Sequence, residues 1–458
     1  MDTLSLYNIA ILLGSILWGT IVGIVPGIGI IVSILIFYPL LLTFDLFQLL
    51  LAYIAVFTAS QFSGSIISTT IGVPGESSSL PAVKEGNALF NRGQGSLAIS
   101  GAALGSVFGS LVACFAAVIL LPYGIFLIKN FYSNNIQLAI FVFVCFFILF
   151  INKDFFTNVL LLLFGMLLSS IGYMLVPPGL FLSEYIPYDQ YPDLVEGLPT
   201  FPVICALFVI PILARNWNIR TKHDSNINEK LHALPVVVHL KEYGKNFTAG
   251  IRGSIIGSIS GLVPHLTNIL ASNLSYVVER KLGLWKKTYR SDGDMPSLVS
   301  AETANNSAAF TSLMPFILIG IPISTSEALL LDIIYRSNFY INYETFVETG
   351  LFADLVLWFI VANVLAFILA WPLVRQVNLL YSVPLQLTFA VTGVILLVLI
   401  GYVGAEAYQM EYYYTVFLCL APIGYLLRNT DTIVLVIGFI LQDKIFAALY
   451  RAITLWSI

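Results

Sequence analysis

Apolar runs of about 20 residues, the length a helix needs to cross a bilayer, recur along the whole chain between short polar turns. They are continuous rather than alternating, which predicts helices and excludes a barrel of short strands. The first run, Ser5 to Leu42, is interrupted by the glycine-rich stretch Gly19 to Gly29 with Pro26 in it, and reads as two half-helices meeting at a hairpin tip. The next, Leu46 to Val73, turns polar in its second half through Ser60 to Ser65 and Ser68 to Thr70, then reaches Gly72-Val-Pro74. That is the pattern of a broken crossing. A hydrophilic turn spans Lys84 to Gly95, and four plainer segments follow, at Ser96 to Leu121, Ile136 to Ile151, Phe155 to Leu175 and Leu198 to Ala214.

Residues 215 to 246 form the longest polar stretch, and beyond it the pattern begins again. Gly253, Gly257 and Gly261 lead to Val263-Pro264-His265 as Gly19 and Gly23 lead to Val25-Pro26-Gly27. A polar entry, Ser300 to Ser307, opens a second broken crossing that runs through Pro315 to Gly320-Ile-Pro322. Four further segments complete the chain, at Leu351 to Leu373, Leu379 to Tyr402, Tyr412 to Leu427 and Thr432 to Trp456. The expected organisation is a first membrane repeat over 1–214, a cytoplasmic linker over 215–246 and a second repeat over 247–458.

Charge orients these repeats. Lys and Arg gather in 215–246 and in the turn 279–290, which places both in the cytoplasm, whereas the 177–199 connection is acidic and falls outside. Counting each glycine-rich hairpin as re-entrant then makes the second repeat an inverted copy of the first, with both termini extracytoplasmic. Inverted repeats with discontinuous helices are the architecture of secondary transporters. The fold class is therefore an all-α polytopic membrane protein of two inverted-topology repeats, each with a re-entrant hairpin, a broken helix and about four further crossings.

Composition agrees: of 458 residues 58% are hydrophobic and 10% charged, at a mean hydropathy of +0.91, against a charged share of about a quarter in soluble domains. The N-terminus has no basic stretch before its apolar run and reads as a first membrane segment rather than a cleaved signal. Cys114, Cys145, Cys205 and Cys419 stand singly in apolar sequence, without metal or disulfide spacing. No basic patch supports nucleic-acid binding.

The chemistry concentrates at the breaks. A helix interrupted in a membrane leaves N–H groups at one end, suited to an anion, and carbonyls at the other, suited to a small cation. The first break supplies Ser65, Thr69, Thr70, Gly72, Pro74, Gly75, Ser77 and Ser78 as candidate substrate ligands. The second supplies Asn305, Asn306, Gly320, Pro322, Ser324, Thr325 and Ser326. Neutral donors of this kind bind carboxylates, and their oxygens bind sodium. The bland alternative, that they bond neighbouring helices or compensate for proline, fits any one of them better than it fits two matched clusters.

Candidate ion-coupling residues are Gly27 and Gly29 at the first tip, His265 and Thr267 at the second, and the acids Glu76 and Glu302. Glu76 also fits a position in interfacial water, Glu302 fits either a cation ligand or a helix cap, and His265 either titrates or bonds a freed carbonyl. Possible Na+ as coupling ion is the one cofactor implied. A membrane enzyme acting on lipid-linked sugars is the rival class, but no Gly-x-Ser-x-Gly elbow, His-Glu-x-x-His or nucleotide loop appears.

At these residues the chain resembles the large membrane subunit of tripartite tricarboxylate transporters, the TctA family. The resemblance rests on Pro26-Gly27-x-Gly29, Gly64-Ser65, Pro74-Gly75-Glu76 with Ser77-Ser78, and the turn Gly86 to Gly95, then on Glu302-x-x-Asn305-Asn306 and Gly320-Ile-Pro322. It covers Gly19 to Gly105 and Gly253 to Leu331. It implies a carrier in a prokaryotic plasma or inner membrane that imports a di- or tricarboxylate on an ion gradient. The implied partners are an extracytoplasmic solute-binding protein and a small four-helix membrane subunit, with a homo-oligomer also possible; the alternative is a stand-alone carrier for another small anion or an amino acid. Two departures bear on the substrate: the second tip reads Pro264-His265-Leu266-Thr267, and Ile323 stands where the family has glycine.

Overall fold

A computed structural model describes residues 4–25, 29–75, 77–150, 155–171, 192–218, 236–262, 268–285, 293–320, 322, 324–341, 343–373, 384–430, 432–442 and 445–446. Among these residues there is no strand. The chain opens with α1 (Leu6–Gly23) and α2 (Gly29–Leu41), a hairpin closed by the Trp18 indole, which donates to the Ser33 carbonyl at 3.2 Å and stacks on Phe37. Its tip, Pro26 to Ile28, lies outside the described residues. Asp45 caps α3 (Leu46–Ile71) in a reciprocal box with Gln48. A tight turn at Ser77–Ser79 and two wide helical turns over 82–94 lead into α4 (Gly95–Phe150).

Helix α4 departs from expectation. Hydropathy ends one segment at Leu121 and starts another at Ile136, yet the helix continues through the polar residues between. The helix contains Pro122 and Gly124, and from Ile125 to Phe150 the sequence holds neither glycine nor proline to stop it. Then come α5 (Phe155–Ser169) and α6 (Thr200–Asn216), followed by a second hairpin, α7 (Val236–Gly261) and α8 (Asn268–Trp285). Helix α7 begins well inside the stretch read as a linker. The bidentate Arg252–Glu279 ion pair, 2.6 Å at its shorter contact, ties α7 to α8.

Asp294 caps the second broken crossing by accepting from the Ser297 N–H, and the crossing comprises α9 (Met295–Thr311) and α10 (Leu313–Ile319). Helix α11 (Thr325–Arg336) follows the break. The rest is α12 (Leu351–Leu373), α13 (Leu385–Glu406), α14 (Met410–Leu426) and α15 (Ile433–Ile440). Among the described residues five helical stretches are long and apolar enough to cross a membrane: Leu6–Gly23, Leu46–Ile71, Ala82–Phe126, Leu351–Leu369 and Leu385–Glu406. The protein is an all-α polytopic membrane protein. Large apolar side chains such as Phe115, Leu160, Leu357 and Val398 point outward from it, as lipid contact demands.

The two broken crossings are its axis. Nearly every residue of α3 and every residue of α9 from Ser297 onward is buried. Glycines hold each hairpin against its crossing. A Cβ at Gly19 would lie 2.5 Å from the Val56 carbonyl oxygen and one at Gly23 2.5 Å from that of Ser60; in the second half, one at Gly257 would lie 2.7 Å from Ala304 Cα and one at Gly261 2.5 Å from the Ala308 oxygen. Residues 56, 60 and 63 correspond to 304, 308 and 311 at one constant offset, which also carries Gly72 onto Gly320 and Pro74 onto Pro322. Ser63 and Thr311, which face Gly23 and Gly261, each donate to the carbonyl four residues back.

The crossings run antiparallel. Glu85, which follows the end of α3, accepts from the Gly293 and Asp294 N–H groups at the start of α9 and from Tyr276 of α8, at 2.8 to 3.0 Å. Tyr53, near the start of α3, donates to Ser326 beyond the end of α10 at 3.1 Å.

Candidate functional site

Gly72 ends α3 in the left-handed conformation, φ 73° and ψ 24°, and Gly320 ends α10 in the same one, φ 65° and ψ 30°. Each glycine is the C-terminal stop before a Gly-x-Pro, so the resemblance of the two phrases is a resemblance of backbone geometry. What surrounds them differs.

At the first break the freed groups are satisfied internally. The Asn87 amide donates to the carbonyls of Thr69 and Thr70 at 3.0 and 3.3 Å, doing for the end of α3 what a further helical turn would do. The Ser68 hydroxyl bonds the Gly64 carbonyl and Ser79 Oγ, both at 2.8 Å, and accepts from the Gly75 N–H at 3.1 Å. Gly75 can reach Ser68 because the chain doubles back onto α3: a Cβ there would sit 2.6 Å from Gly64 Cα. Thr70 bonds the Ile66 carbonyl, and the Ser78 carbonyl accepts from Ser272 of α8. The Thr69 hydroxyl has no hydrogen-bond partner among the described residues. Asn87→Ala is expected to leave two buried carbonyls unpaired and to lower stability by about 1–3 kcal/mol. A clear drop in the unfolding midpoint in detergent, absent in the exposed-site variant Gln94→Ala, is the measurement that checks it.

At the second break the hydroxyls serve as caps. Ser324 accepts from the Glu327 N–H while the Glu327 carboxylate accepts from the Ser324 N–H at 3.1 Å, a complete capping box on α11. The same carboxylate accepts from Ser312 at 2.8 Å. Ser326 lies 3.1 Å from Ser324 Oγ and is held by Tyr53. The N-terminus of α11, expected to await an anion, is thus covered by the protein's own Glu327. Helix α11 is also moored at its far end, where Asp332 accepts from Tyr38 of α2 at 3.1 Å and pairs with Arg336, which reaches Thr200 of α6.

Between the breaks lies a polar seam that joins the two crossings. The face of α3 opposite its α1 contact carries Thr58, Gln61 and Ser65, at helical spacings of three and four. The face of α9 opposite its α7 contact carries Glu302, Asn305 and Asn306. Ser65 donates to Glu302 at 2.6 Å, a short bond that joins the two crossings. Glu302 is 0% exposed, and Asn306 uses its amide on the Glu302 carbonyl at 3.1 Å. Beside Ser65 a small crevice opens, lined by Phe62, Ile66, Ile99, Ala102, Ala103 and Ser106.

The structure brings Ser65, Glu302, Asn305 and Asn306 together in this seam, with Thr69, Thr70, Gly72, Pro74, Gly75 and Ser78 at the first break and Gly320, Pro322, Ser324 and Ser326 at the second. Gly29 starts α2 at φ 65°. For Ser77 and Thr325 the backbone alone is described, while Gly27, Glu76, His265 and Thr267 lie outside the described residues. Thr58, Gln61 and Asn87 were missed as candidates. The first two were legible as a stripe with Ser65, but only knowing which face of α3 meets the hairpin separates them from the serines around them.

Residues 9–437 match the sequence profile of the "Tripartite tricarboxylate transporter TctA family". A relative in Agrobacterium vitis, described as an uncharacterized 52.8 kDa protein in the TAR-I ttuC' 3' region, is 25% identical over 444 residues, 95% of this chain and 85% of the relative. A second protein of that organism, described as uncharacterized in the TAR-II ttuC' 3' region, is 25% identical over 199 residues, 43% of this chain and 80% of its own length. No solved structure matches.

Proposed function

Because the chain belongs to the tripartite tricarboxylate transporter TctA family, we propose that it is the secondary carrier of a binding-protein-dependent system importing a di- or tricarboxylate on a Na+ or H+ gradient. The observation that carries the reading is the seam: a fully buried carboxylate, Glu302, held by Ser65 between two antiparallel crossings, each interrupted at a left-handed glycine. Buried acids in membrane segments mark ion and proton pathways, and paired broken helices are where secondary carriers bind their cargo.

On this reading residues 1–214 and 247–458 are inverted repeats; the constant offset between matched helix contacts supports it. The substrate carboxylates meet the seam and the break residues Thr69 to Ser78 and Ser324 to Ser326, the latter after Glu327 releases its cap. The seam opens to one side and then the other as the repeat-built core moves against the remaining helices. An extracytoplasmic binding protein delivers substrate, and a small membrane subunit completes the complex in a prokaryotic inner membrane.

The test is uptake of labelled di- and tricarboxylates into proteoliposomes, with Na+ and H+ gradients imposed separately and with the cognate binding protein and small subunit added. Uptake requiring a gradient supports the reading. Uptake by the chain alone favours a stand-alone carrier, and none with all components present overturns it.

A further inference from the structure

We propose that Thr58, Gln61 and Asn305 hold one small monovalent cation, sodium by its ligand chemistry, in the seam between α3 and α9. The site lies at neither break, and its use in transport rests on the carrier reading above.

Three side chains in that seam are almost fully buried, with Thr58 and Asn305 at 1% exposure and Gln61 at 3%. Each keeps a polar atom without a hydrogen-bond partner among the described residues: Thr58 Oγ1, Gln61 Nε2 and Asn305 Oδ1. Such atoms are costly in a membrane interior. They also break the local habit, since Ser63, Ser68, Thr70, Thr303 and Thr311 all turn their hydroxyls back onto the carbonyl four residues earlier. Thr58 does not.

The register places Gln61 and Asn305 at one level. Ser65 pairs with Glu302 and the helices are antiparallel, so moving one turn back along α3 to Gln61 corresponds to moving one turn on along α9 to Asn305 and Asn306. Thr58 lies on the same stripe, the next step along α3. Turning the Gln61 amide over puts its oxygen where the nitrogen now stands, so the three residues can offer a hydroxyl and two amide oxygens.

Neutral oxygen donors select hard cations. Among the described residues no group of three His, Cys, Asp or Glu is placed to hold a metal, which argues against a divalent or thiophilic ion. Glu302, one turn away on α9, supplies the single negative charge that a monovalent cation needs in a low-dielectric site.

Purified wild-type protein in detergent, titrated with NaCl against choline chloride at constant ionic strength, is expected to show a saturable rise of several degrees in its unfolding midpoint, with KCl giving much less. Thr58→Val, Gln61→Met and Asn305→Leu should each lose that rise, and Thr58→Ser should keep it. Direct 22Na+ binding at equilibrium reads the same site should a variant be too unstable to melt cleanly, with Thr58→Ser as the rescue. No Na+-specific rise and no 22Na+ binding in the wild type would mean water fills the seam, which overturns the proposal. So would a rise that survives in all three variants. A Na+ rise lost in the variants alongside absent carboxylate uptake sinks the carrier reading and leaves the site standing; carboxylate uptake without a Na+ rise does the reverse.

Discussion

Glu302→Gln is expected to cut gradient-driven carboxylate uptake by roughly a hundredfold or more, about 2.7 kcal/mol of function, while the protein stays folded. Glu302 is the only acid in α3, α9 and α10, and it is 0% exposed. Keeping such a carboxylate away from water is expensive, so its retention needs a reason beyond packing. Glutamine preserves its volume and still accepts the Ser65 hydroxyl, removing the charge and little else. Uptake counterflow and thermal unfolding of the same preparation separate the two roles. Near-normal uptake in Glu302→Gln with a lowered midpoint would make Glu302 a structural partner of Ser65 and nothing more.

The second large effect belongs to the glycines. Gly23→Val and Gly261→Val are each expected to abolish monodisperse, folded protein. At both positions the backbone of a hairpin touches the backbone of a crossing, with a Cβ falling 2.5 Å from a carbonyl oxygen and closer still to the hydroxyl of Ser63 or Thr311. Neither partner can give way, because each is itself locked in a buried helix. The cost exceeds the ~1–3 kcal/mol usual for overpacking. Gly14→Val is the control: that glycine lies in α1, is exposed, and has nothing within 4 Å of its would-be Cβ. Size-exclusion profiles that are normal for Gly23→Val would show that α1 is not seated on α3.

Much of this was legible in the sequence, for identifiable reasons. Glycine and proline act locally, so Gly72-Val-Pro74 and Gly320-Ile-Pro322 announced their breaks without any knowledge of the fold. The glycine ladders did likewise for the hairpins. What stayed hidden depended on facing. Helix α3 is buried all round, so hydrophobic periodicity cannot say which side of it is special, and Gln61 looked like one polar residue among several. Asn87 was hidden because its partners, the Thr69 and Thr70 carbonyls, are reached only when the chain folds back. Glu327 shows the converse: as one of the acids closest to the breaks it fits an intramembrane functional carboxylate, whereas the Ser-x-x-Glu spacing from Ser324 is the signature of the capping box that it forms.

The pairing of Ser65 with Glu302 also has a bearing on biosynthesis. Hairpin and crossing are contiguous in sequence within each half, so each pair can associate soon after its residues enter the membrane. On the face of α3 that bears Thr58, Gln61 and Ser65, α4 lies beside Ser65 early, but the carboxylate that Ser65 bonds, Glu302, is translated more than two hundred residues later. Until then the Ser65 hydroxyl waits for that partner in a half-made protein. A chain truncated before the second crossing leaves that hydroxyl permanently without its carboxylate, which gives cellular quality control a hydrophilic mark by which to recognise and remove it.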